Sequence, residues 1–101
     1  MVKHIVMWRL HAEANGKSNK ENAIIFKEKL ESLPAKIEAI ESLEVGIGYN
    51  EPVGPVYDLV LTTTHASRDK LTEYAEHPDH QEVVAWAKTV IDERRAVDYE
   101  F

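Results

Sequence analysis

The chain has 101 residues, of which 44% are hydrophobic, and its 12 Lys and Arg residues against 18 Asp and Glu residues give a formal net charge of −6. This length predicts a single domain over residues 1–101 with one modest core, and the acidic balance without a basic cluster argues against nucleic acid and anionic membranes as partners. The absence of cysteine excludes disulfides, thiolate metal sites and cysteine nucleophiles, and because no segment resembles a signal peptide or a membrane span, we expect a cytoplasmic protein.

The first part of the chain predicts a strand followed by a long helix. Residues 2–10 are rich in bulky apolar side chains on both faces, which predicts a strand covered on both sides. The polar stretch 11–18 predicts a loop. Asn19 is expected to cap a helix whose apolar residues recur at intervals of three and four as far as Ile40, and Pro34 is expected to break it.

The middle of the chain predicts two more strands. Apolar and polar residues alternate over 43–49, and Gly46 and Gly48 share one face, which indicates a bulge or a close backbone approach. Residues 50–55 contain two prolines and a glycine and predict a turn. Residues 57–64 are rich in β-branched side chains and predict the third strand.

The last part predicts two helices and a final strand. Ser67 is expected to cap a short helix that carries Tyr74 on its apolar side. Pro78 suits the first position of a second helix, since its fixed φ and missing N–H cost nothing there, and apolar spacing extends that helix to about Asp92. Alternation of apolar and polar residues predicts a strand over 96–101.

The predicted order is β-α-β-β-α-β with the second helical segment split, which is the ferredoxin-like α+β arrangement. Helices in this topology cover one face of the sheet. The strands look apolar on both faces, so the other face requires a partner. The simplest solution is a homodimer that pairs two sheets about a twofold axis.

The segment from Tyr74 to His80 places a phenol and two imidazoles within seven residues. Apolar residues follow His80 at intervals of three, four and seven, so the helical period turns its imidazole toward the core. In the first turn of a helix the N-terminal dipole lowers the pKa of a histidine, and a general base needs a neutral imidazole. His80 is therefore a candidate base, and Tyr74 a candidate donor to a substrate carbonyl oxygen. The alternative is a pair of core residues whose polar atoms bond to each other or to the backbone.

Six other side chains are candidates for a ligand site. His4 shares a strand face with apolar residues and could reach the same cavity, although a lone histidine on such a face is more often structural. His77 precedes a proline, where it would contact the ligand or, more simply, brace the corner between two helices. Trp8, Phe26, Leu30 and Trp86 are candidates for a cavity wall, with ordinary core packing as the alternative.

The two histidines His77 and His80 lie three residues apart and could in principle bind a metal ion. Because His77 precedes the helix and no third ligand stands nearby in the sequence, we expect no transition-metal site. A surface Mg²⁺ held by backbone carbonyls and water leaves no side-chain pattern, so the sequence does not decide that alternative. The sequence has no glycine-rich phosphate loop and no dinucleotide fingerprint, so we also expect no cofactor.

Five short segments, in this order and at this spacing, have counterparts in a known protein family. They are Val2-Lys3-His4-Ile5-Val6, Gly46-Ile47-Gly48-Tyr49-Asn50, Tyr57-Asp58-Leu59-Val60-Leu61, Tyr74 with His77-Pro78-Asp79-His80, and Asp98-Tyr99. In this combination they resemble the stress-responsive A/B barrel, or Dabb, domain family over essentially the whole chain. The resemblance implies a ferredoxin-like protomer that pairs through its sheet into a dimeric α+β barrel.

The resemblance also bears on chemistry, although most members of the family have no established reaction. Certain plant members are polyketide cyclases that use a Tyr and the second His of this element for an aldol-type ring closure. By position, those roles would fall on Tyr74 and His80. The cyclases also carry an imidazole in the third strand, where this chain has Leu59, so one polar contact of the cyclase site is missing.

Three functions are consistent with the sequence. The first is a homodimer that binds a small organic ligand in a cavity between helices and sheet, with His80, Tyr74 and His4 pointing into it. The second is a cofactor-independent cyclase or related lyase, with His80 as base and Tyr74 as the group that stabilises the carbonyl oxygen. The third is a structural stress protein in which the dimer itself is the function. An oxygenase of the wider dimeric α+β barrel group is less favoured, because the motifs are those of Dabb.

Overall fold

The computed structural model of the protein describes residues 1–49 and 56–101, so the turn predicted over 50–55 lies outside the described residues. The elements in chain order are β1 (Val2–Leu10), β2 (Glu13–Ala14), β3 (Lys17–Ser18), α1 (Asn19–Glu31), β4 (Ser42–Ile47), β5 (Leu59–His65), α2 (Arg68–Glu76), α3 (Pro78–Ala87) and β6 (Ile91–Glu100). No helix among the described residues is long and apolar enough to span a lipid bilayer.

The four long strands form one antiparallel sheet in the order β4-β5-β1-β6, and α1, α2 and α3 pack on one of its faces. This is the predicted ferredoxin-like α+β fold. Because β1 pairs with both β5 and β6, side chains on its covered face lie in the middle of the molecule. In this register His4 lies opposite Asp98 of β6, and Trp8 lies opposite Arg94.

The stretch predicted as a loop contains a tight hairpin instead, formed by β2 and β3. Asn15 and Gly16 have positive φ values of 55° and 74°, as a two-residue Asn-Gly hairpin turn requires. The next helix is capped by Ser18 rather than by the predicted Asn19. The Ser18 side chain accepts from the Glu21 N–H, and the Glu21 carboxylate accepts from the Ser18 N–H, so each end of this capping box satisfies the other.

Two local predictions for the first half of the chain are confirmed. α1 ends before Pro34, and one further turn of the backbone buries Leu33 and Ile37 in the core. Gly48 marks a close backbone approach, because a Cβ atom there would lie 2.9 Å from the carbonyl oxygen of Tyr57.

The end of the chain departs from the prediction, because α3 is shorter and β6 longer than expected. α3 ends at Ala87 rather than near Asp92, and β6 already begins at Ile91. Val90 and Ile91 keep the apolar spacing of a helix, yet they pack on the core from a turn and from a strand. The charged residues in the first half of β6 concealed the strand. They lie at a sheet edge, where Arg9 of β1 donates to Asp92 at 2.9 Å.

The sheet face that the helices leave uncovered is apolar in its centre. Ile5, Met7, Val60, Val97 and Tyr99 share this face, which we call the open sheet face. Met7 is 39% exposed and Val97 is 56% exposed. Neighbouring exposed apolar side chains of this kind commonly mark an interaction surface.

Candidate functional site

A cavity of about 380 Å³ lies between the helices and the covered face of the sheet. That volume is within the range of small-molecule sites. Its polar wall consists of His4 from β1, Tyr74 from α2 and His80 from α3, so the structure brings together the three side chains predicted to share a site. Its apolar wall includes Val6, Trp8, Phe26, Leu30, Val83 and Val84.

His80 enters the cavity because of the way α3 begins. Pro78 occupies the first helical position and His77 is the N-cap, so the third residue of the helix faces the cavity. The Nδ1–H of His80 donates to the backbone carbonyl of Ala75 at 3.0 Å, and since a carbonyl only accepts, this bond assigns the ring proton to Nδ1. Nε2 is left with the lone pair. Burial is the main cause that lowers the pKa of His80 from its ordinary value of 6.5, which favours the neutral imidazole.

Tyr74 packs against His80 with its hydroxyl buried. Tyr74 is 1% exposed, and its ring centroid lies 4.4 Å from that of His80 and 6.2 Å from that of His4. The hydroxyl has no hydrogen-bond partner among residues 1–49 and 56–101. Burial raises the pKa of Tyr74 to about 12, so the hydroxyl stays protonated and can donate. A buried hydroxyl without a partner is destabilising, and an acceptor oxygen on a bound molecule would remove that penalty.

His4 faces the same cavity from the central strand. Its Nδ1 lies 2.5 Å from a carboxylate oxygen of Asp98, its register partner on β6. Because the carboxylate accepts, Nδ1 of His4 carries a proton and donates it to this bond. The sequence gives no sign of this role for Asp98, since the strand pairing that brings it to His4 joins residues 94 positions apart.

His65, which the sequence analysis does not single out, packs against the Tyr74 ring at a centroid distance of 5.1 Å. It is fully buried at the end of β5. Its Nδ1–H donates to the carbonyl of Ala39 at 2.7 Å, and the Thr63 hydroxyl donates to its Nε2 at 2.8 Å. Both ring nitrogens are therefore satisfied, and His65 is a core residue outside the cavity wall. Its only sequence signal is its place in the inward-facing alternation of the third strand.

Two residues predicted for the site lie elsewhere. His77 is the N-cap of α3, where its Nδ1 accepts from the Asp79 N–H at 3.1 Å, and it is not part of the cavity wall. Trp86 packs edge-on against Phe26 at 5.7 Å and is also not part of the wall. Trp8, the other tryptophan predicted for the wall, lies 4.6 Å from Phe26 and does line the cavity. The helical period identifies an apolar face, but it does not tell which neighbour that face contacts.

The charged side chains that line the cavity are basic. Lys88 and Arg94 line it, and no Asp or Glu of the described ranges does. The sequence patterns predict that Arg94 lies between the last helix and the last strand, and they therefore do not place it at the site. Within residues 1–49 and 56–101, no group of three or more His, Asp or Glu side chains could hold a metal ion.

Comparison with solved structures relates this fold to several proteins. A dimeric protein of unknown function with a ferredoxin-like fold from Bacteroides fragilis is 35% identical, with a TM-score of 0.82, over 99% of this chain and 95% of that one. A dimeric ferredoxin-like protein of unknown function from Thermobifida fusca is 22% identical, with a TM-score of 0.79, over 99% and 90%. The hydroxynitrile lyase from Passiflora edulis is 13% identical, with a TM-score of 0.77, over 97% and 90%, and is similar in fold alone.

A comparison with curated protein sequences gives no match. A family model, by contrast, matches residues 2–101, which is nearly the whole chain. Its match confirms the resemblance that the strand motifs and the Tyr-and-His element indicate. The chain therefore belongs to the stress responsive A/B barrel domain family.

Proposed function

We propose that the protein binds a small, largely apolar organic molecule that presents a carbonyl or enol oxygen to Tyr74. The observation that carries this proposal is the buried Tyr74 hydroxyl, which has no hydrogen-bond partner among the described residues and belongs to a side chain that lines a cavity of about 380 Å³. An acceptor oxygen placed there would satisfy the hydroxyl, while the apolar wall would cover the rest of the molecule.

A second candidate function is proton transfer next to that oxygen, as in an aldol-type cyclase or lyase that needs no cofactor. The observation that favours it is the His80 tautomer, in which Nδ1 is held by Ala75 and Nε2 keeps its lone pair beside Tyr74. Nε2 would take a proton from the carbon next to the carbonyl, while Tyr74 donates to the oxygen on which the enolate charge develops. The enolate carbon would bond to a second carbonyl carbon of the same molecule, and the imidazolium would return its proton to the new alkoxide.

The binding proposal is tested with 2-acetylnaphthalene, whose ring system suits the apolar wall and whose ketone oxygen is the acceptor. The matched probe 2-ethylnaphthalene lacks that oxygen. In amide NMR titrations we expect Tyr74→Phe to weaken ketone binding roughly fivefold, since a hydrogen bond contributes about 1 kcal/mol, and to leave binding of the hydrocarbon unchanged. Equal binding of the ketone by the two proteins would refute the role of the hydroxyl.

The catalytic proposal is tested with the same ketone in D₂O, where proton abstraction exchanges its methyl hydrogens for deuterium. We expect the protein to accelerate this exchange and His80→Ala to abolish the acceleration. His77→Asn is the matched control, because it changes a histidine three residues away that lies outside the cavity wall, and Asn also caps helices well. If the wild-type protein binds the ketone without accelerating exchange, the protein is a binder and the catalytic function is rejected.

We further propose that two copies pair through the open sheet face, as two proteins similar to this chain are described as dimeric. Pairing would bury Met7 and Val97, and it would leave the ligand cavities on the covered faces accessible. We expect Met7→Asp to give monomers in analytical ultracentrifugation. Ile24→Asp is the control, since Ile24 is an exposed apolar residue on α1, and α1 packs on the face of the sheet opposite to the open sheet face. A dimer that tolerates Met7→Asp would contradict this interface.

A further inference from the structure

The cavity has an electrostatic character opposite to that of the whole chain. The chain carries 18 acidic residues against 12 basic ones, yet the charged residues that line the cavity are Lys88 and Arg94. Both are exposed at the level of the whole residue, so they lie where the cavity opens to solvent. The acidic group nearest to its polar wall is Asp98, whose carboxylate is already bonded to His4.

Arg94 differs from the other three arginines of the chain, each of which has a carboxylate partner. Arg9 donates to Asp92, Arg68 to Glu100 and Arg95 to Glu93, all at 2.9 Å or less; no carboxylate of the described residues lies within 4.0 Å of the Arg94 guanidinium. The neighbouring residue on the same strand thus forms an ion pair on the opposite face of the sheet. On the cavity side of the strand, the N–H donors of the Arg94 guanidinium are not bonded to a carboxylate of the described residues.

The register places Arg94 at the opposite end of the cavity from the His4–Asp98 pair. Arg94 lies opposite Trp8, and Asp98 lies opposite His4, four residues further along β6. At about 3.3 Å per residue, the two backbone positions are about 13 Å apart. Between them lies the apolar wall that includes Val6 and Phe26. The guanidinium charge still acts on the polar wall: burial dominates the pKa of Tyr74 and of His80, and Arg94 lowers both.

We propose that the ligand of this cavity is an organic carboxylate, whose anionic group pairs with Arg94 at the cavity opening while its apolar body extends inward and its carbonyl or enol oxygen reaches Tyr74. This proposal rests on the binding function proposed above and names the chemical class of the ligand. A carboxylate is the group that the planar guanidinium recognises with two parallel hydrogen bonds. Lys88 adds a second positive charge at the same opening, which favours an anion further.

The test compares 2-naphthoate with 2-naphthamide, which have the same ring system and nearly the same shape. At about pH 8 the carboxylate is ionised and the amide is neutral. In calorimetric titrations with the wild-type protein we expect naphthoate to bind about tenfold more tightly, since hydrogen bonds to charged groups are the strong ones. We expect the preference to shrink as NaCl rises from about 50 to about 500 mM, because the site is open to solvent and the added salt screens the charge.

Arg94→Gln is the deciding variant, and Arg68→Gln is its matched control. Both remove one positive charge from an exposed side chain, but Arg68 lies on α2 outside this cavity. Arg94→Gln should weaken naphthoate binding about tenfold and leave naphthamide binding unchanged, while Arg68→Gln should leave both unchanged. The Nε–H signal of Arg94 should shift on addition of naphthoate and not on addition of naphthamide.

Three results would overturn the proposal, and they point to different failures. If the wild-type protein binds both probes equally, the cavity binds organic molecules without selecting anions, and the function proposed above stands alone. If Arg94→Gln weakens both probes alike, Arg94 shapes the cavity instead of recognising a charge. If neither probe and neither naphthalene derivative used above binds at about millimolar concentration, the ligand-binding function itself is rejected together with this inference.

Discussion

His65 and His80 both pack against the ring of Tyr74, yet they are held in different ways. Their ring centroids lie 5.1 Å and 4.4 Å from that of Tyr74. His65 is fully buried, and both of its nitrogens are bonded, one to the Ala39 carbonyl and one to the Thr63 hydroxyl. His80 lines the cavity, and only its Nδ1 is bonded.

This difference shows what separates a core histidine from a candidate site. Burial lowers the pKa of both residues, so a lowered pKa does not distinguish them. The distinguishing feature is hydrogen-bonding capacity that the protein does not use, on a side chain that lines a cavity. His80 keeps a lone pair there and Tyr74 keeps a donor, whereas His65 keeps neither.

The largest effect on the free energy of unfolding is expected from replacing His65, because its removal leaves two polar groups in the core without a hydrogen-bond partner. His65→Leu keeps the approximate volume but leaves the Ala39 carbonyl and the Thr63 hydroxyl without their partner, which should lower the free energy of unfolding by about 3 kcal/mol. His80→Leu should lower it by about 1 kcal/mol or less, because the Ala75 carbonyl still accepts from Gln81.

Urea unfolding at one fixed protomer concentration measures both changes, since the proposed dimerisation would make the apparent stability depend on concentration. The ketone titration supplies the complementary readout: His80→Leu should impair binding in a folded protein, whereas His65→Leu should impair folding first. Equal losses of stability in the two variants would erase the distinction between a core histidine and a site histidine.

The pH dependence of stability offers a second way to test the comparison between His65 and His80. A histidine whose pKa is lowered by folding binds its proton more readily in the unfolded chain. Its contribution to stability is therefore fully present above the unfolded pKa of about 6.5 and is lost as the pH falls toward the folded pKa. Burial lowers the pKa of both His65 and His80, so each should contribute in this direction.

The measurement is the difference in unfolding free energy between the wild-type protein and each histidine-to-leucine variant, from about pH 7.5 to about pH 5.5, where carboxylates remain ionised. Subtracting each variant removes the titration of the histidines that both proteins share. We expect the wild-type advantage over His80→Leu, and over His65→Leu, to shrink as the pH falls. An advantage that grows at low pH would mean that folding raises the pKa of the replaced histidine.

The sequence predicted His80 and not His65 for physical reasons. His80 follows a proline that starts a helix, and the helical period of the next apolar residues fixes which way its ring points. His65 ends a strand whose run of threonines gives little contrast between its two faces. Its partner Ala39 lies 26 residues away, and only the folded chain brings the two together.

Contacts between residues far apart in the chain also limit what the sequence predicts for the residues that β6 brings to the site. The ferredoxin-like order and the split helix follow from local patterns, and the structure confirms them. Arg94 reaches the cavity, and Asp98 reaches His4, only through the pairing of β1 with β6, and the charges in the first half of β6 concealed that strand. Trp8 and Trp86 were both expected in the cavity wall, but of the two only Trp8 lines it, and Trp86 packs against Phe26.

The smallest effect on the free energy of unfolding is expected at Tyr74, whose ring both histidines contact. Tyr74→Phe removes the hydroxyl and keeps the ring that packs against His65 and His80. Without ligand, the free energy of unfolding should change by less than about 0.5 kcal/mol or rise slightly, because a donor without a partner is removed from a buried position.

A loss of about 1 kcal/mol or more in urea unfolding would mean that the hydroxyl is bonded in the native protein, for example to an ordered water. Tyr74 would then be a core residue with a satisfied hydroxyl, like His65. The hydroxyl would no longer be an unpaired donor that a ligand could satisfy. A change near zero in the free energy of unfolding, together with weaker binding of the ketone, would show that the ring and the hydroxyl of Tyr74 have separate roles. The aromatic face then serves the core that it shares with His65, and the hydroxyl serves the cavity that it shares with His80.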